Sequence, residues 1–398
     1  MNQPARPAAD RCPGVFDTHP AADGALARVR LPGGRIRPDQ LELLARAAAE
    51  HADGHLELTV RGNLQVRGIT DVEAVAEAVV AAGLAPSSTH DKVRNIELSP
   101  LTGRIGGIAD ARPLAAALDD ALRADPAAAS LSGRFLFGID DGRGDIAARR
   151  PDACAVIRAG SSVATDPPLT ADTPLVADIV IGGVPVGSAT GSEAIVRALI
   201  AVAAGLREVA PGAWRVRDLD ADSRHRLADL AASSLDPVIG DDPDAAPDVT
   251  REPLVGWFDQ DDGAVLLGAV VELGRLAARL AEFIAAVQAP VVFTPDREIL
   301  LCDLDEGVAE TVVRVLAPMG LIFDAASPWA SVSCCVGAPG CSSAHAPVRD
   351  DLMARVQDGD PVDEREHWVG CARGCGSPAG SHLSVQATPE GGYERRRR

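Results

Sequence analysis

The spacing of apolar residues along the chain switches between a period of two, typical of strands, and a helical period. Early in the chain, alternation from Ala25 to Leu31 predicts a strand that follows Asp23-Gly24. An amphipathic helix is predicted next, with an apolar face formed by Leu41, Leu44, Ala45 and Ala48. Alternation returns at 56–60 and 64–66, and a second helix is predicted from its N-cap Asp71 to Gly83.

The same order of elements recurs in the second half of the chain. A strand follows Asp262-Gly263-Ala264, strands are predicted at 291–293 and 299–304, and a helix from Asp305 to Gly320. The intervening helix has an apolar face of Leu276, Leu280, Phe283, Ile284 and Val287. Two such βαββα units predict a duplicated ferredoxin-like fold with pseudo-twofold symmetry, although βαβ segments also recur by chance in α/β proteins.

The stretch between the two copies alternates strands and helices and predicts a separate α/β domain. Strands are predicted at 134–139, 155–159 and 176–181, and helices at 192–206 and 220–232. An acidic, proline-containing run from 236 to 253 is typical of a linker. The sequence therefore predicts an α+β protein with a first ferredoxin-like half-domain at 15–85, an α/β domain at 86–235, an acidic linker at 236–256, a second half-domain at 257–324, a cysteine-bearing domain at 325–390 and a basic tail at 391–398.

The charge and hydropathy of the chain restrict its partners and its compartment. A net charge of −19 argues against nucleic-acid binding, which requires a basic face, and the basic run at 395–398 is predicted to be a solvated tail. No apolar stretch reaches the about 18 residues needed to span a bilayer, and the first residues lack a signal-peptide core. We therefore predict a cytoplasmic protein without a membrane partner, in which cysteines are metal ligands or free thiols rather than disulfides.

Four of the eight cysteines form two closely spaced pairs. Cys335 and Cys341 enclose five residues, Cys371 and Cys375 enclose three, and 29 residues separate the pairs. Four thiolates on glycine-containing loops can surround a [4Fe–4S] cubane. The alternatives are a zinc site, whose paired ligands usually stand two to four residues apart, and unligated thiols. Cys334 lies beside Cys335 and competes for the same ligand position.

Several segments, in order, resemble the nitrite/sulfite reductase superfamily over nearly the whole chain. The cysteine pattern resembles its cluster signature, and Thr59-Val60-Arg61-Gly62-Asn63-Leu64-Gln65 is similar to its Thr-x-Arg-x-Asn-x-Gln segment. Arg94-Asn95 and Gly133-Arg134-Phe135 resemble two further blocks, and Thr294-Pro295-Asp296-Arg297 resembles a degenerate second copy of the Arg61 segment.

This resemblance implies a fold, cofactors and a ligand. The two ferredoxin-like half-domains would be interleaved with α/β domains like the haem-protein domains of these reductases. A [4Fe–4S] cluster would be bound by Cys335, Cys341, Cys371 and Cys375, with either sirohaem or a mononuclear iron centre beside it. A tetrapyrrole would be bound by Arg61, Asn63, Gln65, Arg94, Asn95 and Arg134, with Arg67 and Arg104 as helpers.

Within the superfamily the chain is most similar to the precorrin-3B synthases of aerobic cobalamin biosynthesis, because Arg134-Phe135-Leu136 departs from the Lys-Phe-Lys usual in sirohaem reductases. That implies an oxidoreductase, a monooxygenase that hydroxylates precorrin-3A with O2 and forms a γ-lactone. The alternatives are a sirohaem-dependent sulfite or nitrite reductase, which performs a six-electron reduction, and a cluster-bearing sensor or assembly protein without catalysis. No dinucleotide-binding or P-loop motif is present, so electrons are expected from ferredoxin or an NAD(P)H-linked reductase.

Overall fold

The computed structural model describes residue 10 and residues 12–159, 174–238 and 252–398. Its strands are β1 His19–Ala21, β2 Gly24–Val29, β3 Arg35–Ile36, β4 His55–Leu58, β5 Leu64–Ile69, β6 Ile96–Leu98, β7 Phe137–Asp140, β8 Ala153–Arg158, β9 Val176–Ile181, β10 Val184–Thr190, β11 Gly256–Asp259, β12 Val265–Ala269, β13 Arg275–Ala277, β14 Val291–Phe293, β15 Ile299–Leu304, β16 Val332–Cys334, β17 Glu366–Val369, β18 Leu383–Ala387 and β19 Tyr393–Arg397. Its helices are α1 Pro38–His51, α2 Val72–Ala81, α3 Arg112–Ala124, α4 Ser192–Val209, α5 Ala221–Ala232, α6 Ala278–Ala286, α7 Glu306–Leu316 and α8 Val348–Gln357. Within these described ranges, every helix is too short or too polar to cross a membrane.

The chain forms two compact units. The first, here called the inserted unit, contains Ser87–Arg251 together with Met1–Pro13, and the second, the duplicated unit, contains Gly14–Pro86 and Glu252–Arg398. The predicted half-domains and the cysteine-bearing domain all fall within the duplicated unit. The predicted linker at 236–256 lies largely outside the described residues, and its first residue, Asp236, is bonded to Ser188 of β10.

The duplicated unit contains two five-stranded sheets that exchange a strand. Their strand orders are β1-β2-β5-β4-β13 and β11-β12-β15-β14-β3. Leu276 of β13 pairs with Leu56 of β4, and Ile36 of β3 pairs with Val291 of β14. Each half therefore completes the sheet of the other, and the side chains of both halves pack in one hydrophobic core. The predicted α+β fold with duplicated ferredoxin-like halves is confirmed.

The turn between the paired strands of each half repeats in atomic detail. The hydroxyl of Thr59 accepts a hydrogen bond from the backbone of Asn63 (3.1 Å), and that of Thr294 accepts one from Glu298 (3.1 Å). The backbone of Thr59 also bonds Asn63, as that of Thr294 bonds Glu298. The structure therefore supports reading the 294–297 segment as a second copy of the Arg61 segment.

The same turn shows which residues of the two copies correspond. Gly62 has a φ of 64°, and Arg297 has a φ of 67°, so both occupy the left-handed position of the turn. Asp296 then takes the position of Arg61, and the sign of the charge is reversed in the second copy. Only the first copy of the turn therefore presents a cation at this position.

The inserted unit is an α/β domain with the sheet order β10-β9-β8-β7-β6. Strands β6, β7 and β8 are parallel, whereas β9 and β10 continue the sheet antiparallel. Helix α3 connects β6 to β7, as a parallel connection requires. The strand at Val176–Ile181 is confirmed as predicted, the strand predicted from 134 begins at Phe137, and helix α3 was not predicted.

The cysteine-bearing region forms a smaller sheet. Strands β16, β17 and β18 are parallel and β19 pairs antiparallel with β18, while Val348 and Leu352 of α8 contribute to the core beneath. The basic tail predicted at 391–398, with its solvated run at 395–398, contains the edge strand 393–397. Tyr393 packs against Trp368 with ring centroids 4.8 Å apart. The arginine side chains that follow are exposed, so the sequence pattern alone resembles a tail.

Candidate metal centre

The cysteine pairs begin at one edge of the parallel sheet. Strand β16 ends at Cys334 and β17 ends at Val369, so Cys335 and Cys371 follow the carboxyl ends of neighbouring parallel strands. The backbone N–H of Cys335 donates to the carbonyl of Trp368 at 2.9 Å. Sheet geometry therefore brings together two cysteines that the sequence separates by more than thirty residues.

The loops that carry the other two cysteines are fixed by close backbone contacts. The N–H of His345 donates to the carbonyl of Gly370 at 2.8 Å, which joins the two loops. A Cβ atom on Gly370 would lie 2.6 Å from the Cβ of Ala344, so any side chain here would force the loops apart. Glycine at this position therefore maintains the approach of the two cysteine loops.

The four thiols form one electrostatic group. The pKa of the Cys375 thiol is raised, first by desolvation and then by the neighbouring thiols of Cys335, Cys371 and Cys341. Among the described residues, no three of these sulfur atoms all lie within 4.8 Å of one another. A tetrahedral zinc with bonds of about 2.3 Å would hold its sulfurs about 3.8 Å apart. Four thiolates are the donor set that a [4Fe–4S] cubane takes, and the assignment of these cysteines to a cluster stays a prediction.

The environments of Cys334 and Cys335 differ. The N–H of Gly370 donates to the sulfur of Cys335 at 3.2 Å, an interaction that stabilises a negatively charged sulfur. Burial, partly offset by Arg349, raises the pKa of the Cys334 thiol to about 12. Cys334 therefore remains a protonated packing residue, and the geometry favours Cys335 as the fourth ligand.

An arginine clamp supports the loop of Cys341. Arg67 of β5 is 5% exposed, and its guanidinium donates to both carboxylate oxygens of Asp23, at 3.0 and 2.8 Å. The same group donates to the carbonyl of Gly340 at 3.2 Å, one residue before Cys341. Arg67, predicted as a helper in tetrapyrrole binding, thus connects the first half-domain to the cysteine loop.

A second network surrounds Gln65. Its amide accepts a hydrogen bond from Arg28 (3.1 Å) and donates one to Glu57 (2.9 Å). Glu57 is also paired with Arg349 of α8, the helix that follows the Cys341 loop. The side chain of Gln65 therefore links the first half-domain to the cysteine-bearing region in the described structure.

One buried histidine contacts the Cys375 loop, and sequence reasoning missed it. His367 of β17 is fully buried, and desolvation, followed by the nearby Arg297, lowers its pKa to about 3. The neutral ring accepts from the hydroxyl of Ser333 (2.8 Å) and donates to the carbonyl of Cys375 (3.0 Å). No ligand-like spacing marks His367 in the sequence. Its contact with the carbonyl of Cys375 arises only in the folded protein, where the Cys375 loop lies against β17.

The other predicted tetrapyrrole residues of the duplicated unit lie on the β4–β5 turn. Arg61 is partly exposed at the tip of this turn. Asn63 is 1% exposed, and its side-chain carbonyl accepts the N–H of Leu31 at 2.8 Å. The side chain of Asn63 therefore has a structural role, because it holds the backbone at Leu31. The ligand roles of Arg61 and Asn63 stay predictions.

Three predicted residues lie in the inserted unit, and each makes local contacts. Arg94 is buried and forms a bidentate ion pair with Asp119, at 2.6 and 2.9 Å. The amide of Asn95 donates to the carbonyls of Lys92 and Gly133, at 3.0 and 2.9 Å.

The half-exposed Arg134 lies over the ring of Trp214, 4.6 Å from its centroid, and its guanidinium lies 3.4 Å from the carboxylate of Asp10. Arg104, the remaining predicted helper, is buried in the same unit. Their ligand roles also stay predictions.

Comparison with known proteins finds similarity to nitrite/sulfite reductases. Residues 19–82 match the model of the nitrite/sulfite reductase ferredoxin-like half domain. The fold is similar to that of the NirA protein of Mycobacterium tuberculosis, with a TM-score of 0.70, 17% identity, and coverage of 93% of this chain and 73% of that one. The chain therefore contains a ferredoxin-like half domain of the nitrite/sulfite reductases, and the predicted resemblance is confirmed.

Two relatives are similar to this chain over most of their length. A precorrin-3B synthase from Sinorhizobium sp. is 28% identical over 96% of this chain and 81% of its own. A ferredoxin–nitrite reductase from Synechococcus elongatus is 25% identical over 89% of this chain and 74% of its own. These relatives support the prediction of an oxidoreductase.

Proposed function

We propose that this protein is a precorrin-3B synthase-like monooxygenase with a [4Fe–4S] cluster on Cys335, Cys341, Cys371 and Cys375. It hydroxylates C20 of precorrin-3A and closes a γ-lactone from the ring A acetate. The observation that carries this proposal is the similarity to a precorrin-3B synthase along 96% of the chain. The cytoplasm stays the predicted compartment.

The overall reaction defines what the protein must supply. One atom of O2 enters the substrate and the other leaves as water, so each turnover consumes two electrons and two protons. A cluster held by these four cysteines would supply one-electron transfer. The identity of the second iron group, sirohaem or a mononuclear centre, belongs to this proposal, as does an external donor such as ferredoxin or an NAD(P)H-linked reductase.

The environment of Leu136 supports the synthase over a sirohaem reductase. Leu136 is 5% exposed, and its N–H donates to the carboxylate of Asp152 at 2.8 Å. The cation that sirohaem reductases carry at this position is replaced by a packed apolar side chain. Two similar nitrite reductases nevertheless make six-electron reduction of nitrite or sulfite the second candidate.

Arg61 is the residue that we propose for binding a substrate carboxylate. It lies partly exposed on a turn that Thr59 and Gly62 hold in place, and the corresponding position of the second copy is the anionic Asp296. Precorrin-3A carries several carboxylates, and an arginine fork binds a carboxylate through two charge-assisted hydrogen bonds. The fixed turn positions this fork without the need to order a flexible loop.

The test compares products and spectra. The anaerobically purified protein, supplied with precorrin-3A, O2 and an electron source, should yield the hydroxylated lactone. Arg61→Ala should weaken tetrapyrrole binding about tenfold in an absorbance titration, and Arg61→Lys should recover only part of this loss. Arg37→Ala, on an exposed ion pair with Asp39, is the control.

The alternative has a distinct signature. Rapid six-electron reduction of sulfite or nitrite, together with the red absorption bands of sirohaem and no lactone product, would show that the protein is the reductase and not the synthase. Intact binding in Arg61→Ala would remove this residue from the substrate site without affecting the assignment of the reaction.

A further inference from the structure

Two successive backbone carbonyls of the Cys375 loop accept hydrogen bonds from side chains of other elements. The ring of His367 donates from Nε2 to the carbonyl of Cys375 at 3.0 Å. The guanidinium of Arg297 donates to the next carbonyl, that of Gly376, at 2.6 Å. The hydroxyl of Ser333 lies 2.8 Å from Nδ1 of His367 and holds the ring in the tautomer whose Nε2 carries the proton. We call His367 and Arg297 the carbonyl cradle.

Gly376 permits the close approach of the cradle to the loop. A Cβ atom on this residue would lie 2.8 Å from a guanidinium nitrogen of Arg297 and 3.7 Å from the ring of His367. Its φ of 79° is a left-handed value that residues with a side chain rarely adopt. The loop is therefore shaped to lie directly against the two donors.

The backbone at Arg297 is strained. Its φ of 67° is also left-handed, and Gly62 occupies the equivalent position in the first copy of the turn without that cost. Residues held in such conformations concentrate at functional sites, where the surrounding structure offsets the strain. In the second copy, the side chain at this position reaches the Cys375 loop, 79 positions further along the chain.

The cradle acts on the most exposed of the four predicted cluster ligands. Cys375 is exposed, whereas the other three cysteines are only partly exposed. An exposed loop opens easily unless its backbone is held. The positive charge of Arg297 also reaches this region, because after desolvation it is the next cause of the lowered pKa of His367.

We propose that Arg297 and His367 are positioning residues, which hold Cys375 in place and raise the reduction potential of the cluster bound there. This inference rests on the proposed cluster. Reduction adds one electron, and so one negative charge, and no bond is formed or broken. The bond to the carbonyl of Gly376 keeps the guanidinium beside the loop, where its positive charge favours the added electron.

The test is a redox titration of the cluster-loaded protein without any tetrapyrrole, followed by electron paramagnetic resonance of the reduced cluster. Arg297→Gly removes the donor and the charge but relieves the strained turn, so the protein should fold and retain its iron. Its reduction potential should fall, and the g values of its reduced cluster should shift. Arg297→Lys keeps a charged donor and should recover part of the potential. His367→Leu, which removes the other donor, should also lower the potential.

Arg373→Gln is the matched control. Arg373 is exposed in the same loop, two residues before Cys375. The substitution removes an equal charge where water and salt screen it, so the potential should change much less. An equal fall in Arg373→Gln and Arg297→Gly, or an unchanged potential in both Arg297→Gly and His367→Leu, would overturn the proposal.

The proposed enzymatic function is tested separately. Amides of 374–377 should exchange hydrogen faster in Arg297→Gly, because the loop is no longer held. This effect and the fall in potential, with no lactone product from the unchanged protein, would reject the synthase and keep the cradle. Lactone formation by the unchanged protein, with the potential unaltered in both cradle variants, would keep the synthase and reject the cradle. Absence of a cluster from the unchanged protein would overturn both.

Discussion

At the scale of single residues, the structure separates cysteines that the sequence leaves equivalent. Cys334 and Cys335 are neighbours, but only the sulfur of Cys335 accepts the N–H of Gly370. Replacement of Cys335 by Ser should therefore reduce iron and sulfide content to a minor fraction, because cluster binding contributes directly to folding. Cys334→Ser should retain most of the iron. Iron and acid-labile sulfide analysis of both variants checks this, and equal losses would contradict it.

The Arg67 clamp gives a second prediction at this scale. Arg67→Met removes the bonds to Asp23 and Gly340 while it retains an apolar side chain of similar length. Because Asp23 is partly exposed, we expect a loss of about 1–2 kcal/mol in the free energy of unfolding. The Cys341 loop should also bind iron less tightly, which a chelator competition measures.

A matched control distinguishes the clamp from a general effect of charge. Arg37→Met breaks an ion pair with Asp39 whose two side chains are each 65% exposed, so its unfolding curve and its iron retention should hardly change. Normal iron retention in Arg67→Met, with stability lost, would show that the clamp stabilises the half-domain and not the cysteine loop.

At the scale of secondary-structure elements, the exchanged strands couple the two half-domains. Leu276 of β13 is fully buried and pairs with Leu56 of β4 in the other half. Leu276→Ala should cost about 2–4 kcal/mol of unfolding free energy, since it leaves a cavity in the shared core. Amides of β4 and β5 should then lose protection from hydrogen exchange, although the substitution lies in the second half.

Val315→Ala on α7 is the control for this prediction, because Val315 is 42% exposed and lies in the same unit. It should change stability by less than about 0.5 kcal/mol. If Leu276→Ala lowers protection only within residues 265–304, the two halves unfold independently and the exchanged strands do not couple them.

The elements also show what a sequence can and cannot predict. The bounds of β14 and β15 were predicted correctly, because both are short, mainly apolar runs in which all residues but Asp303 are buried. Strand β3 has only two residues, too few for any period, so its exchange could not be predicted. In α8, polar and acidic residues leave only a weak apolar face, so its sequence pattern does not indicate a helix. In α3, Leu114, Leu118 and Leu122 recur at helical spacing, so this helix was missed although the sequence carries its signal.

The candidate site also has parts that the sequence predicts and parts that it does not. The short spacing within each pair marks the four cysteines as candidate ligands, and that assignment stays a prediction. The clamp joins Arg67 to Gly340 across 273 positions, and no local pattern encodes such a contact. Similarly, the bidentate pairing of Arg94 with Asp119 depends on how α3 packs against β6.

At the scale of the whole molecule, the two compact units should respond differently to loss of iron. All four predicted ligands lie in the duplicated unit. Chelation of iron should therefore increase hydrogen exchange in the strands at 332–334, 366–369 and 383–387, because cluster binding energy is folding energy there. The strands of the inserted unit, such as Val176–Ile181, should keep their protection. Equal loss in both units would contradict this prediction.

The reciprocal exchange of β3 and β13 also constrains how this protein is made. On a translating ribosome, β4 emerges more than two hundred residues before Arg275–Ala277, the strand that must lie beside it. At about 5–20 residues per second, this interval lasts roughly 10–40 s. Throughout that time the nascent first half has an open β-edge and an unfilled apolar face, which are the features that holdase chaperones bind. Synthesis of the inserted unit thus acts as a timed delay before either sheet can close.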